Sequence, residues 1–403
     1  MPGLRAQRLA ARRSERRRAA RRHAMVVAAS VVVVVGTATG MISALDDRGR
    51  SDEARPPEVT RSPSLESLPL VPSPSQSATK SPSPTSASPR SSKKAGPASP
   101  TPSPTRTERT RQPAVASASL YRHPDSQVLE WVRGNSGDPR HAVIEARIAA
   151  QPAAVWFADF TPDTITARVR AVTSAGSALG RVPVVVPYAI PDRDCGGHSQ
   201  GGAPDLAAYD AWIDRFAAGL GSGDVIVILE PDSVAQSGCL SAGERADRFA
   251  SLARAGRAFK AANPKARVYY DAGHSGWNAP GKQAEWLRRA GAASTASSDG
   301  VFSNVSNFHA TTDEIAYDRQ VLDALGGPAS LGAVIDTSRN GAGAPADGEW
   351  CDPAGRKLGR APTLSTGEAR IDGYLWVKLP GESDGCKGRP GTFTASYAYD
   401  LAR

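Results

Sequence analysis

The chain has 403 residues, enough for one barrel-sized domain or two smaller ones, and a net charge of +9. That charge is uneven: residues 1–118 hold 20 of the 49 Lys and Arg but only 8 of the 40 Asp and Glu, so residues 119–403 are slightly acidic. The part able to fold therefore lacks the basic surface that phosphate contacts need, which excludes a nucleic-acid partner for it.

In chain order, residues 1–23 form a basic, cytoplasmic segment with arginines such as Arg12, Arg13, Arg16, Arg17 and Arg18. Residues 24–45 are apolar and uncharged, centred on Val31-Val32-Val33-Val34-Val35, and just long enough to span a bilayer. They read as a membrane anchor or as a signal peptide with small-residue cleavage points at Ala38-Thr39-Gly40 or Ile42-Ser43-Ala44. Arginines on the cytoplasmic side place the bulk of the chain outside the cell in both readings. Residues 46–118 repeat Pro, Ser and Thr without apolar periodicity and are expected to be a disordered linker.

Residues 119–403 are expected to form one domain. Short apolar runs recur at Val155–Phe157, Val182–Val186, Val225–Leu229, Val268–Tyr270, Val301-Phe302, Ala333–Ile335 and Tyr374–Val377. They lack polar alternation, as strands buried on both faces do. Helical patterns lie between them: Leu206, Tyr209, Ile213, Phe216 and Leu220 share one face, and Ser241 with Glu244 reads as a capping box for a helix running to about Ala262. Thr311 with Glu314 reads as a second box. Strand–helix alternation predicts a parallel sheet of seven strands, either open or closed into a barrel one strand short of eight.

A polar cluster follows nearly every strand. Asp194 comes after the second, Glu230 and Asp232 after the third, and Asp271, His274 and Trp277 after the fourth. Asn304 and Asn307 follow the fifth strand, Asp336 the sixth, and Lys378, Glu382 and Asp384 the seventh. In parallel barrels this mouth is where active sites lie. Carboxylates at most strand ends, with Trp156, Trp277 and Trp350 nearby, describe an acidic, aromatic-lined cleft suited to sugars, whose glycosidic bonds are cleaved by paired carboxyl groups. His274 reads as a structural or substrate-binding residue rather than a base. No Gly-x-Ser-x-Gly elbow or phosphate loop is present, and no His/Cys spacing matches a zinc site, so neither cofactor nor metal is expected. Asn304-Val305-Ser306 fits a glycosylation sequon where a binding residue should stand. Cys195, Cys239, Cys351 and Cys386 can pair in three ways; sequence proximity favours Cys195–Cys239 and Cys351–Cys386.

Val186-Pro187-Tyr188-Ala189-Ile190-Pro191-Asp192-Arg193-Asp194-Cys195 and Val227-Ile228-Leu229-Glu230-Pro231-Asp232-Ser233-Val234 resemble the two signatures of the glycoside hydrolase family 6 cellulases. The blocks at Asp271–Trp277, Asn304–Asn307, Trp350-Cys351 and Trp376–Gly385 follow in that family's order. The resemblance covers the whole folded region. It implies a distorted seven-stranded parallel α/β barrel, two disulfides matching the favoured pairs, and hydrolysis of β-1,4-glucan with inversion. It also implies Asp232 as general acid, Asp194 as the aspartate that raises its pKa and relays protons, and Asp384 as base. Tyr188 would crowd the sugar at the cleavage point. Asp271, Lys378 and Glu382 would be sugar-binding or charge-network positions, and Trp156, His274, Trp277 and Trp350 subsite residues. The chain departs from the family where Gln200, six positions after Asp194, replaces a water-holding serine, although Ser199 stands beside it. The little spare length around Cys351 and Cys386 favours an open groove and endo-type cleavage; the catalytic domain is expected to be monomeric. Two other readings fit the same residues: a tethered enzyme trimming the producer's own surface glucan, and a non-catalytic glucan-binding protein.

Overall fold

The computed structural model describes residues 119–403. The expected anchor at 24–45 and the linker lie outside them. Among the described residues, no helix is long and apolar enough to cross a membrane.

Seven strands pair in parallel, in sequence order: β1 (Val155–Phe157), β2 (Val184–Pro187), β3 (Val225–Leu229), β4 (Ala266–Asp271), β5 (Gly300–Ser303), β6 (Gly332–Asp336) and β7 (Ile371–Leu375). Helices α1 (Gln127–Gly134) and α2 (His141–Ile144, running on into a π turn) precede the first strand. Crossovers are made by α3 (Ile165–Ala178), α4 (Leu206–Ala218), α5 (Ala242–Ala262), α6 (Pro280–Arg289) and α7 (Thr311–Leu325), and α8 (Ala395–Ala402) ends the chain.

Alternation along each strand builds two cores. Ile226 and Ile228 of β3 join Val184, Val186, Tyr269, Phe302, Val334 and Leu375 in a cluster made of strand and loop side chains, the inside of the curl. Val225, Val227 and Leu229 instead meet Trp212, Phe216, Leu252 and Phe259 of the surrounding helices. That double burial is why the strands read as unbroken apolar runs.

The sheet curls without closing by a ladder. Instead, the Ala154 N–H donates to the Trp376 carbonyl at 2.9 Å and Trp156 Nε1 donates to the Val377 carbonyl at 2.7 Å, which sews the β1 edge to the chain beyond β7. This seam corrects the expected seventh strand. The ladder runs Ile371–Leu375, with Asp372 bulged out of β7 opposite the Ala333–Val334 step of β6, and Trp376-Val377 lie beyond it.

The Ser241–Glu244 capping box forms as expected. The second does not: Ala310 is the N-cap, and Thr311 is the first residue of α7. The side chains that would have capped are taken by tertiary partners. The Thr311 hydroxyl accepts from Asn340 Nδ2 at 3.0 Å and the Glu314 carboxylate from the Ser275 N–H at 2.9 Å. Disulfides Cys195–Cys239 and Cys351–Cys386 pin the loops after β2 and β3, and the loops after β6 and β7.

Candidate active site

A groove of ≈ 1270 Å³ runs across the carboxyl ends of the strands. Trp156, Tyr188, Asp194, Asp232, His274, Trp277, Asn307, Trp350, Lys378, Glu382 and Asp384 all line it. The backbone here is bent sharply: non-glycine residues take left-handed φ at Asp192 (52°), Asp194 (57°), Glu230 (49°), Asp232 (69°) and Asn304 (66°). Such conformations cost free energy and persist only where the surroundings fix them, as functional sites do.

After β2, the Tyr188 ring meets Trp156 edge-on at 5.2 Å, and the Arg193 guanidinium lies 4.5 Å from its centre. Asp194 Oδ2 accepts from the Ser199 N–H at 2.8 Å and the Ser199 hydroxyl at 2.9 Å. The same hydroxyl lies 2.9 Å from the Tyr188 phenol. A serine proton given to Asp194 leaves the phenol to donate to Ser199, so the three form a directed chain. Ser199, not Gln200, is thus the residue engaged with Asp194, although Gln200 also lines the groove.

The two carboxyls after β3 diverge. Glu230 is buried and points back under the β2 loop, where its oxygens accept the Ala189 and Ile190 N–H groups at 2.9–3.0 Å. Burial pushes its carboxyl up to about 7 against those hydrogen bonds. Asp232 faces the groove. Burial, and then the charges of Asp271, Asp194 and Asp384, push its carboxyl well above the usual range.

Asp271 does not reach the groove. It lies beneath Asp232, accepting the N–H groups of Val234 (3.0 Å), Ala235 (2.8 Å) and Gly273 (2.9 Å), and so shapes the turn that carries Asp232. Asn304 is also spoken for. Its amide donates to the carbonyls of His309 and Asp336 and accepts the His309 N–H, and the residue is fully buried, which leaves the sequon no access to solvent. His274 stacks on His309, ring centres 4.1 Å apart, and its imidazole is lowered to about 3 by burial and then by His309. It stands beside Trp277 as an uncharged wall of the groove.

Asp384, which lines the same groove, is held by cations. Arg339 Nη1 donates to its Oδ2 at 2.8 Å, and Lys378 Nζ lies 3.2 Å from Oδ1. The Asp352 N–H adds a third bond to Oδ2 at 3.1 Å. Oδ1 therefore keeps an acceptor position for a water. Glu382 accepts from Gln127 Nε2 at 3.0 Å, and burial raises it to about 7 against the pull of Lys378. Trp350, half exposed, stands at the edge near His198. Arg339 carried no signal in the sequence: it stands three residues past β6 in a loop with other arginines, and only the fold brings it to Asp384.

A curled parallel sheet whose mouth holds a raised carboxyl and an ion-paired one in a single groove with aromatic walls has the build of a glycoside hydrolase. The model of glycosyl hydrolases family 6 matches residues 114–399. The chain is 52% identical over 290 residues to Endoglucanase 1 of Streptomyces sp. (strain KSM-9), covering 72% of this chain and 79% of that protein. It is 48% identical to Endoglucanase A of Thermobispora bispora, covering 70% of this chain and 61% of that protein. Among solved structures it is similar to the endoglucanase Cel6 from Mycobacterium tuberculosis, in complex with methyl-cellobiosyl-4-deoxy-4-thio-β-D-cellobioside. The TM-score is 0.66 at 39% identity, covering 71% of this chain and 97% of that one. This chain belongs to glycosyl hydrolase family 6.

Proposed function

We propose that the protein is an extracellular endo-β-1,4-glucanase that cleaves internal bonds of a cellulose-like glucan with inversion at the anomeric carbon. The observation that carries this reading is the asymmetry of two carboxyls in one groove. Asp232 is kept protonated by burial and by neighbouring carboxylates, whereas Asp384 is paired with Arg339 and Lys378. Asp232 gives its proton to the leaving oxygen. Asp384, through Oδ1, receives a proton from a water attacking the opposite face of the sugar. Asp194, joined through Ser199 to Tyr188, supports the charge balance of Asp232 and passes protons near it. Tyr188 crowds the ring at the cleavage point, and Trp156, Trp277 and Trp350 offer faces on which sugars stack. The half-exposed Trp350 ring fits a groove open enough to admit the middle of a chain, and the relatives named endoglucanase support the same mode. The test is proton NMR of the first product from a soluble cello-oligosaccharide, beside viscometry of carboxymethylcellulose. The α-anomer first, with viscosity falling ahead of reducing ends, is the expected result. The β-anomer first overturns the inverting mechanism, and slow viscosity loss overturns endo cleavage.

A further inference from the structure

The residue after Cys351 has no part in the chemistry above, yet the loop that carries Asp384 is folded around it. Asp352 is buried in a left-handed backbone conformation (φ 51°). Its Oδ1 accepts the Asp384 N–H at 2.7 Å. Its Oδ2 accepts the Ser383 hydroxyl at 2.6 Å, the Cys386 N–H at 3.1 Å and the Lys387 N–H at 2.9 Å. In return the Asp352 N–H donates to Asp384 Oδ2 at 3.1 Å. Four donors from one short segment thus converge on a single carboxylate, a concave nest of the kind that binds anions. Burial alone would raise this carboxyl, but the bonds from Ser383, Asp384, Lys387 and Cys386 outweigh it and bring it to about 2.

The neighbouring disulfide cannot do this work. Cys351–Cys386 fixes two Cα atoms 5.8 Å apart but leaves the peptide planes at 383–385 free to turn. The nest fixes those planes, and with them the direction of the Asp384 side chain. We infer that Asp352 is the positioning residue for the base: its carboxylate templates residues 383–387 and aims Asp384 at the attacking water. This rests on the reading of Asp384 as the base.

An amide cannot replace this carboxylate. Both oxygens face donors, so Asp352→Asn sets an NH₂ against an N–H or O–H whichever way it flips, and the smaller conflict falls on the Asp384 N–H itself. Misplacing a catalytic group by about 1 Å costs on the order of 10²-fold. The experiment compares wild type, Asp352→Asn, Ser383→Ala and Asp384→Asn. It measures kcat and KM on soluble β-glucan, and calorimetric affinity for a non-hydrolysable thio-linked cello-oligosaccharide. Asp352→Asn should lower kcat about 10- to 100-fold while oligosaccharide affinity stays within about twofold, because the sugar-binding walls do not depend on the nest. Ser383→Ala, which removes one donor, should lower kcat by a smaller factor of about 3 to 10. It decides alone where Asp352→Asn does not fold, and an unchanged kcat then overturns the proposal. Wild-type kcat in Asp352→Asn beside an inactive Asp384→Asn overturns the positioning role only. Equal losses of kcat and affinity mean that the whole groove has collapsed, and also overturn it. Full activity in Asp384→Asn overturns the base assignment, and the proposal falls with it.

Discussion

Arg339→Met tests the electrostatic frame of the site. The guanidinium has no exposed surface and donates to Asp384 Oδ2 (2.8 Å), the Tyr397 phenol (3.1 Å) and the Ser306 carbonyl (2.6 Å). Its carbon lies 4.4 Å from the centre of the Phe308 ring. Methionine keeps most of the packing volume against that ring but removes the charge. Breaking a buried pair by deleting one partner costs about 3–5 kcal/mol, because the remaining charge stays buried without compensation. Lys378, 3.2 Å from Asp384 Oδ1, remains and holds the cost near the lower figure. A loss of about 3 kcal/mol lowers the Tm of a domain this size by about 5 °C. Urea unfolding at pH 7 should give a lower midpoint at unchanged slope. Adding Asp384→Asn removes the orphaned charge, so the double variant should be more stable than the sum of the two single losses allows, by about 1–3 kcal/mol. A single-variant loss below about 1 kcal/mol, or strictly additive losses, refutes the view that this pair is buried and coupled.

Asp232→Asn should reduce kcat on unactivated glucan by about 10²–10⁴-fold, the usual worth of a general acid, but cost far less on an aryl glycoside whose leaving group needs little protonation; equal losses on both contradict the role. Asp194→Asn removes one of the charges that, after burial, hold the Asp232 proton. Asp232 then ionises at lower pH, and the alkaline limb of kcat/KM moves acidward; an unmoved limb refutes the coupling. His274, lowered from 6.5 to about 3 by burial and then His309, acts on stability. Below pH 6.5 the unfolded chain binds a proton that the native state refuses until about pH 3, so its contribution erodes as pH falls through that window. His274→Gln should flatten the decline of unfolding free energy between those limits, and an unaltered slope contradicts the assignment.

The parts of this protein legible in the sequence are those governed by short-range rules. β3 was readable because burial on both faces writes an unbroken aliphatic run, and its end was readable because Pro231 stops the ladder. The helix from Ala242 was readable because Ser241 and Glu244 satisfy each other locally. Thr311 and Glu314 show the same local pattern, but Asn340 and Ser275 compete for them across the fold, and distant partners won. The division of labour among the carboxyls came from the family resemblance and not from local rules, for the same reason. Glu230 and Asp232 are two residues apart and alike in sequence; one faces the Ala189 and Ile190 N–H groups and the other faces the groove. Arg339 and Asp352 lie in the long loop after β6 and Asp384 in the loop after β7, with no periodicity to announce their meeting. They meet because β6 and β7 are adjacent and the Cys351–Cys386 bridge draws the intervening loop back over the sheet mouth. Once brought together out of water, each fixes the others' hydrogen bonds, so the chemistry of Asp384 is set less by its own motif than by two residues outside it.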